Sequence, residues 1–126
     1  MLRYDVLSDR WSALEQKLSS GSTKPYRGDL KYSAMCRISS NQLILTGGCS
    51  TKDCKANSRV YLINIDEVLN KCEFVVQKDI TNPRYGHCQV YNSGAVYIIG
   101  GFEHDDVVGL PPSTLTSSEI YVPSED

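Results

Sequence analysis

The sequence predicts an all-β fold of stacked sheets, and three observations carry that expectation. Residues 31–48 and 84–101 of the 126-residue chain can be laid over each other without a gap, at a constant offset of 53. Both stretches end in an apolar run closed by a glycine doublet, Leu43-Ile44-Leu45-Thr46-Gly47-Gly48 and Val96-Tyr97-Ile98-Ile99-Gly100-Gly101. Turn-forming residues precede each run, Asn41 in one stretch and Asn92-Ser93-Gly94 in the other. Recurrence at about fifty residues marks one supersecondary unit used again, and a lone unit cannot bury its own apolar face. Stacking follows.

At the N-terminus, Tyr4-Asp5 reads as a strand, residues 7–10 as a turn, and Trp11 as the start of the next strand. Trp11, Leu14 and Leu18 also fall at helical spacing among good helix formers, so a helix stays open there, although the repeat context favours the strand. Residues 19–25, rich in Ser, Gly and Thr, form a flexible connection. Strands are expected at 88–91 and 95–99, joined by a tight turn whose Asn and Gly tolerate positive φ. Asn41 takes the place of Gly94, so the same left-handed turn is expected in the other copy. Residues 43–45 and 96–99 are apolar without alternation, as in strands covered on both faces. Third strands containing Tyr61 and Tyr121 follow polar loops that lengthen from 12 to 19 residues, a variation suited to a surface. A fourth strand is expected at 73–77, after a polar turn in which 65–69 could make one helical turn.

Composition narrows the function. With 22% charged residues, a formal net charge of −2 and no run of five like charges, the chain lacks the basic field of a nucleic-acid or anionic-membrane binder. No window approaches the roughly 18 apolar residues of a spanning helix. Met1-Leu2-Arg3-Tyr4-Asp5 carries charge where a signal peptide is apolar. Five cysteines, an odd number, read as free thiols in a reducing compartment, so a cytoplasmic location is expected.

The motif residues resemble the kelch repeat of β-propeller proteins. That pattern has Pro-Arg before Gly-His, a Tyr-containing strand ending in Gly-Gly, then Tyr-Asp with a Trp seven residues beyond the Tyr. This chain supplies Pro83-Arg84-Tyr85-Gly86-His87, Tyr97 with Gly100 and Gly101, and Tyr4-Asp5 with Trp11; Gly47, Gly48, Tyr61 and Tyr121 occupy matching places. Departures are Lys31 for Arg, Ser33-Ala34 for Gly-His, and Phe74 in the packing role of a missing Trp. The resemblance implies an all-β, kelch-type β-propeller fragment of four-stranded antiparallel blades in an incomplete ring. Residues 1–18 would end one blade, 31–77 would form a full blade, and 84–126 would give three strands of the next. A little over two blades cannot close a ring. The expectation is therefore a fragment or truncated product, or a chain whose open apolar ends meet further copies or other propeller blades.

The reactive groups have structural readings beside their chemical ones. His87 beside Cys88 has the residues of a base and a nucleophile, but it occupies the structural Gly-His position. Cys49 and Cys54, with Cys36 or Cys72, have the ligand type for zinc but no histidine at ligand spacing. No phosphate-binding glycine motif is present, and tyrosines without a basic field are expected to pack rather than stack on bases. No cofactor, no metal and no enzymatic activity are expected. The resemblance implies a protein-interaction scaffold displaying the loops at 19–30, 49–58, 78–83 and 102–118 to an unidentified protein partner. Its candidate contacts are Arg27, Lys52, Lys55, Glu103, His104, Asp105 and Asp106. Two alternatives remain: a piece of a propeller enzyme whose active site lies in absent blades, and a nonfunctional product.

Overall fold

A computed structural model describes residues 1–18, 30–103 and 111–123. Among these, the N-terminal strands β1 (Leu2–Asp5) and β2 (Arg10–Ala13) pair as an antiparallel hairpin, so the stretch around Trp11 is strand and not helix. Next come β3 (Glu15–Leu18), β4 (Leu30–Lys31), β5 (Ala34–Arg37), β6 (Gln42–Thr46), β7 (Cys49–Ser50), β8 (Val60–Asp66) and β9 (Lys71–Val76). The remaining strands are β10 (Cys88–Asn92), β11 (Ala95–Ile99), β12 (Phe102–Glu103), β13 (Ser113–Thr114) and β14 (Ser118–Tyr121). Residues 67–70 form a turn between β8 and β9, without the helical turn expected nearby.

The architecture is all-β, but it is not a propeller. The strands fall into a five-stranded sheet (β3-β9-β8-β6-β5), a three-stranded sheet (β10-β11-β14) and three two-stranded pieces, and none closes into a ring. In the larger sheet, β3 runs parallel to β9, so the unit expected to be a four-stranded antiparallel blade carries a fifth, parallel strand. The gapless repeat fails too. In the first hairpin Arg37 lies opposite Leu43, whereas in the second Asn92 lies opposite Ala95 and Val90 opposite Tyr97. Relative to the offset of 53, the second hairpin has slipped by one residue. A slip of one sends every side chain of the slipped strand to the other face.

The turns show where the slip originates. Ser93 and Gly94 both have positive φ, 50° and 84°, as a two-residue hairpin turn of the primed type requires. Asn41 does not take the left-handed conformation expected of it. The first hairpin instead closes around residues 39–41, with the Ile38 N–H donating to the Gln42 carbonyl at 3.0 Å. The Arg37 guanidinium donates to the Ser39 and Ser40 carbonyls and holds this longer loop.

Two apolar clusters lie on opposite faces of the five-stranded sheet. On one face Tyr61, Ile63, Cys72 and Phe74 bury Leu14, beside Leu43 and Leu45, and Phe74 meets the Tyr61 ring edge-on at 6.1 Å. On the other, Ile44 and Val60 pack with Ile80 and with Val96 and Ile98 of β11. Strand β6 is thus covered on both faces, as its unbroken apolar run implies. Strand β11 is not, since Ile99 remains 51% exposed. Trp11 is 69% exposed and rests against Tyr4, with ring centroids 5.0 Å apart.

Candidate functional site

Polar side chains frame one corner of the molecule. Arg84 is fully buried; its guanidinium donates to the Gly100 and Ser117 carbonyls and, at 2.9 Å, to the Glu119 carboxylate. Burial by itself would raise the Glu119 pKa, but the Thr81 and Asn82 N–H groups together with Arg84 outweigh it and hold it low. The Arg84 carbonyl accepts from the Gly48 N–H at 2.9 Å, so one residue ties the loop after β6 to the loop after β11.

A second network crosses between the large sheets. The Thr46 hydroxyl donates to the Gln89 side-chain oxygen and lies 2.7 Å from His87 Nε2. A hydroxyl has one proton, so His87 must be the donor through Nε2, which leaves the buried Nδ1 with a lone pair and no partner. The Gln89 amide donates onward to the Ile44 carbonyl at 2.9 Å. Burial, and then the nearby Arg84, push the His87 pKa down to about 4, so the ring is neutral at ordinary pH.

On this frame three aromatic rings converge. Strands β4 and β7 pair Lys31 with Cys49, and the chain then turns sharply at Tyr32, whose φ of 57° is a costly value for a bulky residue. The Tyr32 carbonyl accepts from the Gly86 N–H at 2.8 Å. Tyr85 and Phe102 exchange backbone hydrogen bonds at 3.0 and 2.9 Å. Three separate segments are thereby laced together. The Tyr32 and Tyr85 centroids lie 6.3 Å apart, and those of Tyr85 and Phe102 5.8 Å apart, with the rings tilted about a third of a right angle. With Gly86 and Pro112 they line an apolar recess of about 300 Å³. Lys31 Nζ sits over the Tyr32 ring, 5.7 Å from its centroid, and the Cys54 sulfur beside it raises the ammonium pKa.

A wider cleft, about 720 Å³, separates residues 1–6 from the edge of the five-stranded sheet. Its polar lining has no net direction, because Arg3 and Arg37 are matched by Asp5 and Glu67, and the Arg37 guanidinium is already bonded to backbone. The smaller recess has the more focused chemistry.

The candidates named from sequence are scattered. Lys52 and Lys55 stand exposed on the loop following β7. Glu103 is half-buried in β12, opposite Ser113. Arg27, His104, Asp105 and Asp106 lie outside the described residues. His87 faces Thr46, while Cys88, next along the chain, is exposed. All five cysteines are unpaired, and burial raises the pKa of Cys36, Cys49 and Cys72. Among the described residues no group of three or more His, Cys, Asp or Glu is placed to hold a metal ion.

Tyr32, Phe102 and Pro112 were not picked out from sequence. A signal existed for two of the rings, because Tyr32 and Tyr85 are equivalent at the offset of 53 and both follow a basic residue. Phe102 gave none; it joins them only through backbone pairing across the chain. No family model and no curated protein matches the chain.

Proposed function

We propose that the chain is a protein-recognition domain that grips a peptide segment in the recess formed by Tyr32, Tyr85, Gly86, Phe102 and Pro112. The propeller scaffold implied by the sequence resemblance is set aside with the ring that the five unclosed sheets do not form. One observation carries the present reading. Rings from three different segments meet around one apolar recess, and one of them, Tyr32, is held in a backbone conformation that costs free energy to keep. Exposed aromatics on a rigid frame supply contact area at small entropic cost, as binding hot spots do.

Binding rather than catalysis is favoured by the surroundings. His87, the histidine among the described residues, is neutral, buried and engaged with Thr46. Among the described residues that line the recess there is no acid and no base, and the reading needs no cofactor. Five unpaired thiols suit a reducing compartment such as the cytoplasm, where we place its action.

Selection of an unbiased displayed-peptide library on the intact protein tests the proposal. Enriched peptides should lose binding to Tyr85→Ser by at least about tenfold, a change of roughly 1.4 kcal/mol. No enrichment, or enrichment that ignores Tyr85→Ser in a protein with an unchanged circular dichroism spectrum, would overturn it.

A further inference from the structure

Resting on the recess as the point of binding, we infer its ligand class: an extended, proline-bearing peptide with an acidic flank. Three observations lead there.

The first concerns hydrogen bonding at the recess floor. The N–H and C=O of Tyr85 are both bonded to Phe102, the Phe102 N–H and C=O are bonded back, and the Gly86 N–H is taken by the Tyr32 carbonyl. A ligand laid on these rings finds those backbone groups already used. An ordinary peptide N–H pressed against the rings would lose its water without gaining a partner. Proline has no N–H to strand. The floor therefore selects for proline by what it withholds, and it disfavours an added β-strand, which would need free backbone groups.

The second is spacing. A polyproline II segment advances about 3.1 Å per residue and turns once in three, so residues two apart stand about 6.2 Å apart along the axis and about 120° apart around it. The ring centroids are separated by 6.3 and 5.8 Å. Two prolines with one residue between them match adjacent rings in rise and turn their pyrrolidines to different walls of the recess. The chain's own Pro112 already lines the same walls. The Tyr85 hydroxyl, whose pKa burial raises, stays protonated and can donate to the exposed carbonyls of such a segment.

The third is charge. Lys31 stands at the Tyr32 end with its Nζ over that ring, while Glu103 adjoins Phe102 at the other end. This polarity favours a ligand with an acid beyond its prolines on the Lys31 side.

Titration of the intact protein, followed by amide chemical shifts, tests the inference with defined probes. The probe is a short synthetic peptide with two prolines separated by one residue and a flanking pair of glutamates, made with the acids at either end. Two control peptides replace the prolines by alanine or the glutamates by lysine. The probe with the correct polarity should shift the resonances of Tyr32, Tyr85 and Phe102. Alanine in place of proline should weaken binding about tenfold or more, and lysine in place of glutamate about threefold or more. Lys31→Glu should reverse the preference between glutamate and lysine flanks without altering the thermal melt. Equal binding of the alanine control, or saturation of shifts away from the three rings, overturns the inference. So does tighter binding of a methylated-lysine peptide, or a dimer that forms through the rings and is lost in Tyr32→Ser. Library peptides that bind through Tyr85 but lack proline would refute the ligand class while leaving the recess as the binding point. Failure of both experiments removes both.

Discussion

His87 shows how a single side chain can report on the whole interior. Its pKa is depressed to about 4 against an ordinary value near 6.5. The unfolded chain therefore takes up a proton on this residue as the pH falls below 6.5, and the folded chain does not until about pH 4. Stability contributed by the neutral ring is intact above pH 6.5, declines between 6.5 and 4, and levels off below that window. Each unit of depression corresponds to about 1.4 kcal/mol. Denaturant midpoints measured across this range should fall with acidity in the wild type and fall less in His87→Gln, once both are normalised to pH 7. Parallel slopes would show that His87 is not the group responsible. Tyr32 makes the opposite kind of statement. Its left-handed backbone favours glycine, so Tyr32→Gly should leave stability unchanged or raise it by up to about 1 kcal/mol in chemical denaturation, while peptide binding at the recess is lost. A clear loss of stability would mean that ring packing, not backbone strain, dominates there. Arg84 is a buried charge with a carboxylate partner; Arg84→Met should cost about 3–5 kcal/mol, because Glu119 is left without its cation.

The hairpins and glycine corners show how much of the fold sequence reasoning can reach. The positions of β6, β8, β10, β11 and β14 were legible, because apolar runs and turn residues act over a few neighbours. The turn at Ser93-Gly94 was legible for the same reason. The turn at Asn41 was not, because a three-residue reversal held by the Arg37 side chain replaced the left-handed residue, and that bond is invisible in a run of letters. The glycine doublets marked real corners, although their reasons differ from a shared turn. A Cβ on Gly47 would stand 2.4 Å from the Arg84 carbonyl oxygen and 2.8 Å from the His87 ring, whereas one on Gly94 meets nothing within 4 Å. Both have positive φ, so alanine at either strains the backbone by about 1 kcal/mol, but only Gly47→Ala must also displace backbone. Gly47→Ala should unfold the protein or cost several times as much as Gly94→Ala in equilibrium melts. Equal costs would mean that the close approach at Gly47 relaxes freely.

At the scale of the molecule, the five- and three-stranded sheets share an apolar cluster while one face of the smaller sheet and one of the N-terminal hairpin stay open, and this is where reading from local motifs failed. Glycine doublets, a buried arginine and paired tyrosines report local corners and contacts that many all-β arrangements need; none of them fixes how many strands join a sheet. The parallel seat of β3 beside β9 is a long-range outcome, and the one-residue slip of β10 comes from turns of different length at 39–41 and 93–94. The recess was hidden for the same reason, since Phe102 reaches Tyr85 only after the chain has folded back through β11. The uncovered faces have a consequence of their own. Val90 and Ile120 flank Tyr97 on one row of the three-stranded sheet, with Ile99 on the same side, while Leu2, Tyr4 and Trp11 form the outer side of the N-terminal hairpin. Apolar clusters of this kind, left in water, drive association. The mean mass from light scattering should therefore rise with protein concentration, and threonine at Val90 and Ile120 should move the chain toward monomer without lowering its melting temperature by more than a few degrees. Both positions lie outside the two buried clusters, so the substitution removes exposed apolar surface and little packing. A wild-type mass that stays monomeric at every concentration would mean these rows are too small to hold two chains together.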